Sequence, residues 1–513
     1  MLRSNLIANK FVESMSFLKS SIVYRLVFWS IVIVGVSLIL TSHPMMKLRF
    51  DIWQHLGSID DLVINPKADI PKSNWYATWA YVFRGLGIQD IRIYAVIIHR
   101  TQFLLSCVAV YLSALYLFPA LLLKKEQYGS DNQKQWASSF ALSSMLVWLT
   151  VIGTVSTFQQ AWIMWYSVNY QITLPFLFLA MALLINATVV TQVQITIYVK
   201  IASGLSLLLL VFLFHTAELF YLLIYMLAVL IFYTTQKNIK KILMSIFVVV
   251  LLTWIGSHFY VGRVPQIVNL LQTNQGVKVV DLIQEYGRYN IEGGNRYEAN
   301  WNAMYAICVF CAIPILVINH MSKDTFDPKV LYTVLASLVF CFIPSFKLSS
   351  GIASLFYSAD ILNRLYFASL LFILPSLLAY LVLIKTKKFK SPIYLSLLVI
   401  GLMGLTAIYS RYFNNAGTYF QNINSIRNSL KLDKVGIDLP IAEIESIGRQ
   451  IQAAEKIYGV DGVHFCADYD KAHIVWFIYR QKNMRFYRNG VTYGLDQCID
   501  DSRAAKKHLV VIE

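Results

Sequence analysis

The chain has 513 residues, of which 57% are hydrophobic and only 14% are charged. Soluble domains are closer to half apolar and a quarter charged, and several apolar runs here reach the roughly 17 to 25 residues that span a bilayer as a helix. These features exclude a soluble enzyme, a disordered protein and a coiled coil. The net charge of +16 indicates membrane orientation rather than nucleic-acid binding, because Lys and Arg flank the apolar runs. We therefore predict a polytopic α-helical membrane protein.

The apolar runs predict about eleven membrane spans. Lys and Arg concentrate in the N-terminal segment and in every second loop, which places the N-terminus in the cytoplasm and the C-terminus outside. No small-residue cleavage site follows the first span, so we expect it to be retained. Lys200 is predicted to lie in a short cytoplasmic loop between two spans. The spans lie near 26–42, 101–123, 138–157, 173–191, 198–214, 218–233, 242–258, 302–319, 330–346, 365–384 and 393–410.

Three outer segments are long enough to carry chemistry: 43–100, 259–301 and 411–513. The first is predicted to contain two amphipathic helices, the second of them with Ser73 as its N-cap. Their apolar faces follow helical spacing. These faces are Ile52, Leu56, Ile59 and Val63 in the first helix, with Asp51, His55 and Ser58 on another face, and Trp75, Trp79, Val82 and Leu86 in the second. Such helices lie in the headgroup plane of a bilayer, where they can roof an opening through which a lipid enters.

The segment 411–513 is predicted to be a small α/β domain outside the membrane. It has a helical run near 440–458 and two strand-like runs, Ala472–Tyr479 and His508–Ile512. A domain of this size buries a core only marginally, so a bridge between Cys466 and Cys498 would stabilise it. We expect these two cysteines to pair, since disulfides persist on the outer side. The other four cysteines lie in apolar runs and are interpreted as core residues.

Ionisable residues near hydrocarbon are costly, which makes them functional candidates. They gather at the predicted outer ends of the spans. Asp51 stands at the mouth of span one, His99 and Arg100 open span two, His215 and Glu218 lie between spans five and six, and Asp360 and Arg364 enter span ten. A snorkelling side chain at the interface explains His99, Arg100, His215 and Glu218 as well. Arg296 lies in a polar loop beside Gly293 and Gly294, which is either a substrate contact or an ordinary flexible loop.

The residues from Asn363 onward are Arg364, then Tyr366 and an apolar run interrupted by Pro375. An Arg followed by an aromatic residue and a Pro-broken span resembles the entry to a late span in membrane glycosyltransferases of the GT-C class. Members of that class also carry an essential acidic residue in a loop of two juxtamembrane helices after span one, and many end in an extracytoplasmic domain. The resemblance implies a GT-C domain over 1–410, with Asp51 as the acidic residue and Arg364 as the phosphate-binding arginine. Pro375 comes later than in the commoner pattern.

The general plan is most similar to bacterial inner-membrane transferases that modify O-antigen or lipid A. It implies a polyprenyl-phosphate sugar donor and a glycolipid or polysaccharide acceptor. An arginine fork suits the donor phosphate, and a carboxylate suits the removal of a proton from the acceptor hydroxyl. The predicted catalytic residues are Asp51 and His55, with Asp60 and Asp61 as alternates, and the predicted substrate contacts are Arg364, Asp360, Arg100, His99, Glu218 and Arg296.

His55 would orient Asp51 or hold the acceptor, and the displacement would invert the anomeric centre in one step. No cofactor is predicted: a nucleotide-binding Gly-rich loop and a metal-ligand cluster are both missing from the sequence, although some members of the class use a divalent cation. Two rival functions stay open. An O-antigen polymerase would also act outside on lipid-linked sugars, but commonly lacks a sizeable C-terminal domain. A transporter or flippase would place its polar residues nearer the bilayer midplane.

Overall fold

The computed structural model describes residues 50–67, 74–89, 91–122, 130–154, 170–189, 194–214, 221–223, 225, 226, 228, 310–320, 326–340, 370–386, 392, 394–399, 401, 441–468, 471, 475, 479, 484–487 and 495–512. The chain divides into two compact units. The first, which we call the helical unit, comprises Met1–Ile39, Phe103–Ile163 and Tyr170–Asn424, and the second, the mixed unit, comprises Leu40–Gln102, Met164–Asn169 and Ser425–Glu513.

Most of the described residues are helical. The helices are α1 Phe50–Ile64, α2 Asn74–Leu86, α3 Ile91–Leu121, α4 Ser130–Thr154, α5 Tyr170–Val189, α6 Gln194–Phe214, α7 Pro328–Leu335, α8 Leu374–Thr386, α9 Ile441–Tyr458 and α10 Leu495–Ala504. The strands are β1 Val463–Asp468, β2 Met484–Tyr487 and β3 His508–Ile512, and short 3₁₀ turns cover Ala336–Leu338, Leu370–Ile373 and Val460–Gly462.

Helices α3 to α6 coincide with predicted spans, although α3 begins well before residue 101. Within the described part of the chain, two stretches are long and apolar enough to cross a membrane, Leu104–Leu121 and Ile195–Phe214. Shorter apolar helices cover Ile172–Thr188, Phe310–His320 and Leu370–Ile384. The total of eleven spans stays a prediction. The interruption expected at Pro375 is confirmed, because a 3₁₀ turn ends at Ile373 and a new α-helix begins at Leu374, where the missing N–H of proline is tolerated in the first turn.

An aromatic cluster centred on Tyr380 forms part of the core of the helical unit. The Phe118 ring of α3 lies 4.8 Å from Phe140 of α4 and 5.0 Å from Tyr380 of α8. Trp136 of α4 also contacts Tyr380 in a T-shaped arrangement, with ring centroids 5.3 Å apart. All four rings are buried. Edge-to-face and offset contacts of this kind are preferred by aromatic pairs and add to the energy of their burial.

Small polar residues fill the helix interfaces of the same unit, as is typical of helices that associate within a bilayer. The hydroxyl of Ser143 on α4 lies 3.2 Å from that of Ser396. A Cβ built on Gly204 of α6 would lie 3.0 Å from the side chain of Leu184 on α5, so the two helices approach closely there. Further serines are buried at positions Ser106, Ser113, Ser139, Ser144 and Ser376.

The predicted loop around Lys200 is wrong, because Lys200 lies inside helix α6. Its ammonium group donates to the side-chain oxygen of Asn186 at 2.6 Å and lies 5.8 Å from the centre of the Tyr116 ring. The Asn186 amide in turn donates to the main-chain carbonyl of Tyr116 at 2.6 Å. A charged side chain can therefore sit within an apolar helix, since neighbouring helices supply its polar partners.

The C-terminal part of the mixed unit is an α/β fold, as predicted. Its three strands are parallel in the order β2-β1-β3, with Phe465 paired to Met484 on one side and to Val510 on the other. Parallel neighbours need crossover connections; the connection from β2 to β3 contains α10. Helix α9 and strand β3 match the predicted helical run near 440–458 and the predicted strand at His508–Ile512. Val463, Phe465 and Ala467 of β1 pack in a core with Ile447 and Ile451 of α9, Val475 and Ile512.

The predicted strand at Ala472–Tyr479 is wrong at its described positions. Val475 is helical and Tyr479 lies in a bend, and strands occur instead at β1 and β2. The physical reason is that a continuous apolar run does not distinguish a buried strand from a buried helix. Val475 and Tyr479 both pack in the core that α9 forms with the sheet.

The predicted disulfide is confirmed. Cys466 and Cys498 are bonded, with their Cα atoms 6.1 Å apart, and both are buried. Cys466 is on the central strand and Cys498 is on α10. Because side chains alternate along a strand, the bridge lies on the face of the sheet opposite α9. Cys107 and Cys311 are free and buried, as expected for core residues.

Candidate functional site

Helices α1 and α2 form a packed hairpin in the mixed unit. The face predicted for α1 is confirmed at Leu56, Ile59 and Val63, which are all buried. Ser58, expected on another face, is buried as well. The Arg84 guanidinium of α2 donates to the main-chain carbonyls of Leu62 and Val63 at the end of α1. These carbonyls belong to the last turn of a helix, where side-chain donors replace the missing intrahelical partners.

The face predicted for α2 is partly wrong. Trp75 is buried as expected, but Val82 and Leu86 are 37% and 62% exposed. The helix instead buries Ala80 and Phe83. The Phe83 ring stacks on Trp79 at 5.6 Å and on Tyr94 of α3 at 4.2 Å. An aromatic ring buries more apolar area than the competing aliphatic side chains, so stacking of Phe83 sets the rotation of the helix.

His55 is the predicted catalytic residue whose surroundings are best defined. Its Nδ1 atom lies 2.6 Å from the hydroxyl oxygen of Tyr76 on α2, a short hydrogen bond. The Trp75 ring stands edge-on to the imidazole at 5.9 Å, and the Tyr76 ring is tilted against it at 5.5 Å. His55 is half-buried, whereas Trp75 is fully buried. Two aromatic residues of α2 thus hold the orientation of a ring that belongs to α1.

Asp51, the predicted general base, lies in the first turn of α1, one turn before His55. Residues four apart in a helix lie on one side of it, so the backbone brings these two positions together as the sequence predicted.

Asp60, an alternate for the base, has a structural contact. The hydroxyl of Tyr94 lies 3.3 Å from a carboxylate oxygen of Asp60 and 3.1 Å from the main-chain carbonyl of Ile88. Tyr94 is buried on α3, so this contact joins α1 to the start of α3 and to the turn before it. The arrangement gives Asp60 a role in holding the hairpin against α3.

The other predicted site residues are placed less fully. His99 and Arg100, predicted to open the second span, lie in the third turn of α3, which starts at Ile91, shortly before the apolar stretch Leu104–Leu121. The substrate contacts predicted later in the chain, together with His215, are at positions that the structure does not describe. These are Glu218, Arg296, Asp360 and Arg364.

Sequence reasoning missed Tyr76. It follows Trp75 directly in the sequence, beside the apolar face of α2. The sequence signal for it is that a phenol next to this face can reach a polar partner on α1.

Within the described ranges, no group of three or more His, Cys, Asp or Glu side chains is arranged to hold a metal ion. The imidazole of His55 and the phenol of Tyr76 are groups that can donate and accept hydrogen bonds and transfer protons.

Comparison with known proteins gives little. No protein-family model matches the chain, and no curated protein matches it. Among solved structures, the chain is similar to the archaeal oligosaccharyltransferase AglB from Archaeoglobus fulgidus, determined in complex with an inhibitory peptide and a dolichol-phosphate. The identity is 11% and the TM-score 0.42, with 94% of this chain and 69% of the other covered. Similarity at this level carries no conclusion about the function of this chain.

Proposed function

We propose that this protein is a membrane glycosyltransferase that transfers a sugar from a polyprenyl-phosphate donor to a glycolipid or surface polysaccharide. The observation that carries the proposal is the pair formed by Asp51 and His55. The two residues are one turn apart on α1, and His55 is held by Tyr76 in a hairpin that leads directly into the apolar helix α3. Acid–base residues beside a membrane-spanning helix suit a reaction between a lipid-borne substrate and a polar one.

The proposed reaction is a single displacement at the anomeric carbon. The acceptor hydroxyl oxygen forms a bond to that carbon as the bond from the carbon to the donor phosphate oxygen breaks. Asp51 takes the hydroxyl proton, and His55 orients that carboxylate or holds the acceptor. The electron pair leaves with the polyprenyl phosphate, where Arg364 stabilises the negative charge. His99, Arg100, Glu218, Arg296 and Asp360 are proposed as further substrate contacts.

We place the reaction on the periplasmic face of a bacterial inner membrane. The buried disulfide between Cys466 and Cys498 supports an oxidising compartment for the C-terminal domain. The excess of Lys and Arg in alternate loops supports a cytoplasmic N-terminus. The buried serines and the close approach at Gly204 support helix packing within a bilayer.

Mass spectrometry of surface glycolipids, from cells with and without this chain, tests the proposal. We expect glycolipids from cells that express the chain to carry a fixed additional hexose-type mass on each acceptor or repeat. A change in the number of repeats, without a change in the mass of each one, would instead identify an O-antigen polymerase. Unchanged glycolipids together with a changed distribution of lipid-linked sugar across the membrane would identify a flippase.

A further inference from the structure

We infer that Tyr76 is a positioning residue that fixes the proton of neutral His55 on Nε2, so that His55 serves the reaction as a hydrogen-bond donor and not as its base. This inference rests on the proposed function for its catalytic meaning. Its structural part, the state of the imidazole, can be measured without any substrate.

The argument begins with the 2.6 Å contact between Nδ1 and the phenolic oxygen. A neutral imidazole has one nitrogen that donates and one that accepts, and the partner of one nitrogen decides which one carries the proton. A phenol is a much stronger acid than a neutral imidazole N–H, so the stronger hydrogen bond forms when the phenol donates. Nδ1 of His55 then accepts, and the ring proton lies on Nε2.

The surroundings of the ring keep this arrangement in place. Trp75 is fully buried, and its ring plane is nearly perpendicular to that of the imidazole, at 82°. Trp75 and Tyr76 are themselves in edge contact at 5.4 Å. A flip of the imidazole would exchange Nδ1 for a carbon at the phenol and would lose the hydrogen bond. Packing and hydrogen bonding thus favour one orientation of His55.

The tautomer of His55 decides which residue of the site can donate a hydrogen bond and which one can act as the base. A neutral ring with its proton on Nε2 has its accepting nitrogen engaged by Tyr76, so it cannot also remove a proton from the acceptor hydroxyl. It can donate from Nε2 to an anion or to a sugar oxygen. The base must then be a carboxylate, and Asp51, one turn away on the same helix, is the residue proposed for that role.

The test uses the full-length chain with isotope-labelled histidine, in which the His55 signals are assigned by comparison with His55→Gln. The nitrogen chemical shifts of His55 report its tautomer. We expect the Nε2–H form in the native protein and a mixture of tautomers in Tyr76→Phe, which keeps the ring but removes the hydroxyl. Tyr81→Phe is the matched control, since Tyr81 lies on the same helix and is 78% exposed; it should leave the signals unchanged.

Kinetics with a synthetic polyprenyl-phosphate hexose supply the second readout. General acid–base groups commonly contribute about 10²- to 10⁴-fold to a rate, and loss of orientation should forfeit part of this, so Tyr76→Phe should lower kcat about 10-fold or more. The KM for the donor should change less than about twofold, because Tyr76 does not bind the donor. The remaining histidine signals check that the variant is folded.

The outcomes separate the two claims. An Nδ1–H tautomer in the native protein, or the same tautomer in Tyr76→Phe, overturns the inference whatever the activity. A changed tautomer with unchanged kcat overturns the positioning role but leaves the proposed function standing. A native protein that transfers no sugar from the donor overturns the proposed function and the catalytic part of the inference with it, even where the tautomer is as expected.

Discussion

Cys466 on the central strand β1 is joined by a disulfide to Cys498 on α10, and the two cysteines are 32 residues apart in the sequence. The bond connects the middle of a three-stranded sheet to a helix on one of its faces. Closing a loop of this length in the unfolded chain is worth about 3–4 kcal/mol on a chain-entropy estimate. That is a large share of the stability of a small domain.

We therefore expect Cys466→Ser and Cys498→Ser, each alone, to lower the free energy of unfolding of the C-terminal domain by about 3–4 kcal/mol. The change is measured by denaturant unfolding of the purified chain, in which protection of the domain from protease reports the folded fraction. The double variant should cost little more than either single one. A double variant as stable as the native protein would show that the bridge does not stabilise this fold.

Because Gly448 has no side chain, the ring of Tyr479 can lie directly against helix α9. A Cβ built on Gly448 would overlap the phenol ring and hydroxyl of Tyr479, whose oxygen donates to the Ile444 carbonyl at 2.6 Å. Gly448→Ala should therefore destabilise the domain by about 1–3 kcal/mol, the usual cost of overpacking. Gly462→Ala is the control, because its Cβ would meet only Tyr458, at an ordinary 3.7 Å. Equal stability of the two variants in thermal unfolding would contradict the close approach.

Tyr479 also predicts a dependence of stability on pH. Burial and the nearby Glu445 carboxylate raise the pKa of its phenol. The folded state then holds the proton more tightly than the unfolded chain, so this contribution is complete below about pH 10 and is lost as the pH rises through the higher folded pKa. The native domain should lose stability relative to Tyr479→Phe above about pH 10. A difference that stayed constant across this range would show that the phenol titrates alike in both states.

The contact between Lys200 and Asn186 should hold α6 against α5. Asn186→Leu removes the amide that bonds both Lys200 and the Tyr116 carbonyl, and leaving such groups unsatisfied costs about 1–3 kcal/mol. We expect a lower thermal midpoint for the detergent-solubilised protein. Adding Lys200→Met should recover part of the loss, because the ammonium group that Asn186 bonded is then gone. Thr188→Val is the control, since the Thr188 hydroxyl donates to the Leu184 and Ile185 carbonyls of its own helix; a similar loss there would argue against a specific role for Asn186.

The sequence predicted those parts of the fold that depend on one dominant local signal. Apolar length located helices α3 to α6, and the period of Leu56, Ile59 and Val63 located the buried face of α1. Predictions failed where tertiary contacts decided the outcome. In α2, the helix buries Phe83 in stacking contacts and leaves Val82 and Leu86 exposed. In α6, Lys200 lies within the helix because residues of neighbouring helices supply its partners. The apolar run at 472–479 is consistent with either a strand or a helix, and its described residue Val475 is helical and packs in the core with α9.

The candidate site was predictable only in part, for a related reason. The one-turn spacing of Asp51 and His55 is a local property of α1 and can be read directly. The bond from His55 to Tyr76 joins positions 21 residues apart and depends on how α1 and α2 pack. Sequence periodicity does not report the rotation of one helix against another, so it does not select Tyr76 among the aromatic residues of α2.

The most direct test of the account is sugar transfer by the Asp51→Asn variant. Membranes that contain the native chain, supplied with a polyprenyl-phosphate hexose and an acceptor glycolipid, should yield a glycosylated acceptor detectable by mass spectrometry. Asp51→Asn should reduce the rate by about 10²-fold or more, the share of a general base, with unchanged membrane insertion. Asp461→Asn, at an exposed position of the C-terminal domain, should transfer at the native rate. Full activity of Asp51→Asn would contradict the assignment of this carboxylate as the base.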